Sequence, residues 1–347
     1  MKKILRFFLR IIIVFLIIIL IWVAFNFSLV TYGVNQLKGQ LHIVLNARPM
    51  QDVLKDETVP DSVKGKINFI ESVKKFATDS LGLKPSENYT TFYDQQNKPL
   101  LWVLTASEPF KIKAYEWKFP LLGRVSYKGF FEYEKGKTEE TSLKEQGFDT
   151  DYSEVSAWST LGWFHDPILS NMTRRSKGQL AELIIHELTH ATLYIKSNVN
   201  LNENLASICG EQGAIRFLQS SFGYDSKELK EYTDRKEDYD RYSKQMLLGT
   251  HMLDSLYTLM NDSIVILKKS LKDLMIKVIV HSIDTISFHA PMRYKNIFKD
   301  RLPNNAYFID FIRYDAQKDE MKKVLTERFS GNIRAYIDYL RVKKDSI

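Results

Sequence analysis

His186, Glu187 and His190 stand within five residues of one another, in the run Ala181-Glu-Leu-Ile-Ile-His186-Glu187-Leu-Thr-His190-Ala-Thr-Leu-Tyr194. On a helix, residues four apart lie one above the other on the same face. That spacing lets two imidazoles bind one zinc ion at about 2.0–2.1 Å each. Glu187 directly follows the first His and points beside the metal, where a carboxylate can take a proton from the attacking water. Leu180, Leu183, Ile184, Leu188, Ala191 and Leu193 make the same helix apolar nearly all round. A buried helix carrying two His and a Glu needs something to satisfy them, and a metal does so. Thirteen residues after His190 comes Asn202-Glu203-Asn204-Leu205-Ala206-Ser207. The polar stretch 196–202 breaks the first helix, Asn202 is a good N-cap for a second, and Glu203 falls in its first turn. Three protein ligands plus one open position describe a catalytic zinc, not a closed structural one. The bland alternative is inert helix packing with the motif present by chance.

The elements that must position these residues follow from the rest of the chain. Its 347 residues, 44% hydrophobic and 13% aromatic, suffice to bury a core and argue against disorder. Residues 34–54 carry helical spacing with a break at Pro49. Residues 62–81 form an amphipathic helix with Val63, Ile67, Ile70, Val73 and Phe76 on one stripe. Between residues 89 and 156, short runs at 100–106 and 123–131 read as strands, the second a candidate edge for holding an extended peptide. From Gly178 the chain is helical again, at roughly 178–196, 203–221, 226–260, 263–285, 315–329 and 331–343. Strands in the middle and helices after them point to an α+β fold, mostly helical with a small β-sheet, rather than an alternating α/β sheet. No linker composition divides residues 32–347, which read as one domain.

Charge and cysteine usage bound the setting. The 49 basic and 42 acidic side chains leave +7, and Lys2, Lys3, Arg6 and Arg10 supply four of these positives. The remainder is too nearly neutral for a nucleic-acid footprint, so no nucleic-acid partner is expected. Residues 11–25 are fifteen consecutive apolar residues, and the stretch to Val30 reaches twenty, the length of a bilayer-crossing helix. A cleaved signal peptide would end in a small-x-small site; the exit here reads Trp22-Val23-Ala24-Phe25-Asn26-Phe27. An uncleaved transmembrane signal anchor over residues 1–31 is the expectation. Its basic N-terminus lies in the cytoplasm and the body outside the cytoplasmic membrane. Cys209, the one cysteine, can form no internal disulfide and reads as a small buried hydrophobe.

Several patches along residues 32–314 resemble a bacterial family called predicted aminopeptidases, zinc proteins of the broad gluzincin type. The residues that carry the resemblance are Tyr32-Gly33 with Gly39-Gln40-Leu41, Ala47-Arg48-Pro49, and Phe119-Pro120 with Gly123 and the run 126–131. Others are 159–164 with Asp166-Pro167, the HELTH and NENLAS segments at 186–190 and 202–207, and Asn304-Asn305-Ala306. The resemblance implies a zincin-like domain over 32–347, with His186, His190 and Glu203 as zinc ligands and Glu187 as base. It also implies an envelope location. Members are often lipid-anchored through an N-terminal Cys, which this chain lacks, so the apolar span takes that part. Two departures stand out: His165 replaces an expected acid before Asp166-Pro167, and no Gly-x-Met-Glu-Asn segment for holding a free amine is present.

The function expected is therefore a membrane-anchored zinc peptidase, an aminopeptidase by resemblance, acting on peptides or proteins outside the cytoplasm. The alternatives are a zinc endopeptidase and an envelope scaffold or peptide-binding protein with a structural metal. Asp166 reads as a cap for the turn before Pro167, and His165 as a surface residue or a support for a ligand. Glu211 shares a helix face with Glu203 and could orient a ligand or form a salt bridge. Tyr127, Tyr307 and Tyr314 are candidate oxyanion donors. His42, His251, His281 and His289 have no ligand-like spacing. No sequence signal specifies an oligomeric state.

Overall fold

The computed structural model describes residues 2–119, 123–155, 165–195, 198–260, 264–314 and 316–343. The segment 156–164, which carries part of the family resemblance, lies outside them, as does the side chain of Tyr314. The N-terminal apolar run forms α1 (Lys2–Phe25), and 22 of its residues, Ile4–Phe25, are long and apolar enough to cross a bilayer. The expected twenty-residue span to Val30 is interrupted. Asn26 breaks the helix, its side chain bonding the Trp22 carbonyl at 2.9 Å, and α2 (Phe27–Asn46) begins one residue later. The boundary placed at residue 31 therefore falls inside α2.

Pro49 ends this helical stretch, as its spacing predicts: β1 (Arg48–Pro49) leads into α3 (Met50–Lys55) and then α4 (Asp61–Asp79). Ile67, Ile70, Val73 and Ala77 bury the inner stripe of α4. The middle of the chain supplies β2 (Thr91–Tyr93), β3 (Trp102–Ser107), β4 (Trp117–Phe119), β5 (Gly123–Val125) and β6 (Tyr127–Phe130). After these come α5 (Tyr133–Glu145), β7 (Asp149–Glu154) and β8 (Ile168–Leu169). The strands form three small sheets, ordered β1-β2-β8, β6-β3-β7 and β4-β5. Among the described residues only the β2–β8 pair is parallel, with Phe92 opposite Ile168. The free edge of β6 is not open to a peptide at Gly129, whose carbonyl accepts from Tyr32 (3.0 Å) and Gln36 (2.8 Å) on α2.

Helix α5 follows the runs read as strands, in a stretch where the sequence pattern gives no expectation of a helix. Its inward face is Gly136, Glu140 and Leu143, a pattern with no apolar periodicity to read. Buried Glu140 is held by Lys137 and Lys144 and by the Thr150 hydroxyl, so a charge sits where an apolar residue would signal a helix.

The remaining elements are α6 (Lys177–Thr192), α7 (Val199–Phe222), α8 (Lys227–Leu259), α9 (Val265–Ser282), α10 (Asn305–Tyr314), α11 (Ala316–Phe329) and α12 (Ile333–Lys343). The largest core joins α4, α6 and α7 with the β1-β2-β8 sheet and α12. A second core links α8, α9 and α10, and a third lies under the β6-β3-β7 sheet. The result is a mostly helical α+β body with small sheets.

Candidate active site

Helix α6 is fixed at both ends. Ser176 caps it by accepting from the Gln179 amide, a device worth about 1 kcal/mol. At the other end the Thr192 hydroxyl donates to Leu188 O and accepts from the Lys84 amide. Leu180, Ala181, Ile184, Ile185 and Leu188 are buried on it, which leaves His186 and His190 on the face turned to α7. Gly210 permits the close approach of α7. A Cβ at that position would lie 2.8 Å from Glu182 O and 3.2 Å from His186 Cβ.

The hairpin brings His186, His190 and Glu203 together, with one donor atom from each within 4.8 Å of the others. The two Nε2 atoms are 3.1 Å apart, and the Glu203 carboxylate oxygens lie 3.6 Å from His186 Nε2 and 3.5 Å from His190 Nε2. Two imidazole lone pairs facing each other at this distance repel unless a proton or a cation sits between them. Two nitrogens bound tetrahedrally to one zinc ion would be about 3.3 Å apart, so the donor set fits a divalent cation. His190 Nδ1 is buried with no hydrogen-bond partner among the described residues.

Glu203 does not occupy the first turn of its helix. Asn198, not Asn202, is the N-cap, accepting from the Leu201 amide at 3.2 Å, so α7 begins four residues earlier than the apolar pattern suggests. The Asn202 side chain instead ties down the loop, accepting from Ile195 N and donating to Ile195 O at 2.8 Å each. This clamp fixes the turn immediately before Glu203.

Electrostatics separate the two carboxylates. The contacts with His186 and His190 hold the Glu203 carboxyl at about 2, well below the ordinary carboxylate range. Burial pushes the Glu187 carboxyl up, against the two His and with further upward push from Asp166 and Glu203. Burial disfavours a charged His186, but Glu203 and Glu187 outweigh it and raise its pKa. One acid is thus held anionic, while the proton affinity of the other is raised.

Two neighbours of Glu187 come from elsewhere in the chain. Buried Asp166 accepts from Tyr89 N at 2.7 Å through its carbonyl, and its amide donates to Asn88 Oδ1. Tyr89 is fully buried, its hydroxyl has no partner among the described residues, and burial, then the charges of Glu187 and Asp166, raise its pKa far above the ordinary phenol value. Sequence reasoning gave Asp166 only a capping role and passed over Tyr89. Its one local mark is a positive φ of 63°, rare for a bulky residue and invisible in sequence.

Other candidates are placed elsewhere. Tyr307 is hydrogen-bonded to Tyr242 in the α8–α9–α10 core, and Tyr127 is half exposed on β6. His165 is exposed, His42 contacts Asn46, and His289 contacts Glu237. Cys209 is buried, which raises its thiol to about 12 and leaves it inert. A cleft of about 1130 Å³ beside α2, lined by Leu41, Tyr93 and Phe131 among others, contains none of the four site residues.

Glu211, two turns beyond Glu203, is a salt-bridge hub. It meets Lys322 at 2.6 Å, Lys318 at 3.4 Å and Lys236 at 3.6 Å, joining α7 to α8 and α11. Burial alone would raise its pKa, but the three lysines bring it down to about 2 from 4.5. A depressed folded-state pKa stabilises fully above 4.5, and that share is lost as pH falls toward 2. Glu211→Gln is therefore expected to lose about 1–3 kcal/mol at neutral pH and to flatten the acid limb of a stability–pH profile. An unchanged acid limb in thermal unfolding across that range would contradict this role.

The helical hairpin thus sets a buried acid beside a cluster of His and Glu donors. The sequence model of a family described as "Putative aminopeptidase" matches residues 31–344, nearly the whole chain beyond α1, and the protein belongs to that family. Searches of the curated proteins and of the solved structures find no match.

Proposed function

We propose that this protein is a zinc-dependent aminopeptidase, anchored by α1 in the cytoplasmic membrane, with the single zincin-like domain beyond α1 working outside the cytoplasm. The observation that carries the reading is the convergence of His186, His190 and Glu203 with Glu187 one residue along the same helix. Family membership supports peptide bonds as the substrate class. The apolar run and its basic flank support the anchor and its orientation.

His186, His190 and Glu203 would hold the ion. Zinc bound there supplies a Lewis acid that polarises the scissile carbonyl and makes water nucleophilic near neutral pH. Glu187 accepts the proton that water releases as its oxygen bonds to the carbonyl carbon. The same carboxyl then delivers that proton to the departing amine nitrogen as the C–N bond breaks. Burial and the nearby Asp166 raise the Glu187 pKa toward working pH, which suits a group that must both take and return a proton. Glu203, held anionic, keeps its acceptor oxygens directed at the two imidazoles.

An endopeptidase is the second reading, favoured by the absence of a Gly-x-Met-Glu-Asn segment. One peptide offered with a free amine and again acetylated distinguishes the two. An aminopeptidase loses nearly all turnover on the blocked form, because contacts to the amine place the scissile bond. Equal cleavage of both at an internal bond would establish the endopeptidase.

A further inference from the structure

We propose that α9, together with the end of α8, lies on an anionic bilayer surface at the boundary between headgroups and acyl chains. The proposal rests on the reading that α1 anchors the chain in a membrane. Helix α9 packs on α8 through Ile276 and Ile279, and Lys272 on that side bonds Asp149 and the Pro109 carbonyl. Exposed Leu267, Leu274 and Val278 recur at intervals of seven and four, so they share one face, turned opposite to the packed one. On α8, exposed Leu248, Met252 and Leu259 likewise share a face.

The start of α9 favours a lipid over a protein partner. Ile264, Val265 and Ile266 are 71%, 57% and 76% exposed, and Leu267 follows them, also exposed. Ile264 precedes the helix in extended backbone. Val265, Ile266 and Leu267 point about 100° apart on its first turn, so the exposed apolar side chains spread over more than half of the way around the axis. A flat protein surface would cover one side of such a turn; an apolar medium surrounds all of it. Among the described residues of this surface, Lys269 and Lys277 are exposed and Lys268 is half-buried on α9, against Asp273 there and Asp254 near the end of α8. This small positive excess suits anionic headgroups. The connecting residues Asn261-Asp262-Ser263 are too polar for the acyl core, which makes the contact interfacial rather than spanning.

The test uses the full chain in proteoliposomes containing anionic lipid with brominated acyl chains. Cys209 is buried, so introduced cysteines can be labelled singly with a fluorophore. Labels at Ile266→Cys and Leu274→Cys should lose half or more of their emission to the brominated lipid. Val14→Cys in α1 should be quenched as well, and Tyr224→Cys, exposed at the end of α7, should keep its emission. Quenching at position 14 with the α9 labels open to aqueous iodide overturns the proposal and leaves the anchor intact. Labels on α9 shielded from both quenchers overturn it in favour of a protein interface, such as a second copy of this chain. An unquenched label at position 14 removes the anchor and the proposal together.

Discussion

Glu187→Gln is expected to abolish peptide hydrolysis, by about 10²–10⁴-fold, while leaving the bound metal and the fold in place. Glutamine keeps the size and one acceptor of the side chain but cannot take a proton. The Glu187 carboxyl is buried beside the donor cluster without being one of its members, so the substitution touches proton transfer alone. Steady-state kinetics on a free-amine peptide, paired with metal analysis of the same sample, reads both halves. Retained turnover would return the site to a scaffold with a structural ion. Loss of metal along with turnover would mean that Glu187 helps hold the ion.

The second large effect belongs to the imidazoles. His186→Ala and His190→Ala should each lower zinc from about one per chain to near none and reduce activity to background. Each removes a nitrogen from a set in which the two Nε2 atoms are 3.1 Å apart and a single carboxylate completes the group. The fold should survive, because the packing of α6 depends on Leu180, Ile184, Ile185 and Leu188 rather than on the His face. Circular dichroism of the variants checks that point. Full zinc retention in the double variant would overturn the assignment.

The clustering of His186, His190 and Glu203 was legible in sequence because its geometry is local. An i,i+4 pair on a strongly apolar helix must share a face whatever surrounds it, and a third donor on the next helix needs only a tight turn to reach it. The turn itself was read less well: Val199–Asn202, alternately apolar and polar, opens a helix whose cap is Asn198, and propensity alone does not separate the two asparagines. Helix α5 was missed because its buried face is a glycine and a paired glutamate. Helix α10 was missed because only its first residues carried a recognised pattern. Tyr89 and Asp166 reach the surroundings of Glu187 through contacts made across 78 positions of chain, information that no local pattern holds. The early break of the apolar run at Asn26 depends on one side chain bonding back to Trp22.

In the proposed function His186, His190 and Glu203 hold a zinc ion next to a proton-transferring Glu187. X-ray absorption at the zinc edge of the purified full chain tests it most directly. The expected shell has two imidazole nitrogens at about 2.0–2.1 Å and carboxylate oxygen at about 2.0–2.2 Å. In the double His variant the zinc-edge signal itself should fall to background, because the ion is no longer held. A chain that binds no zinc, or a shell without imidazole scattering, would contradict the account.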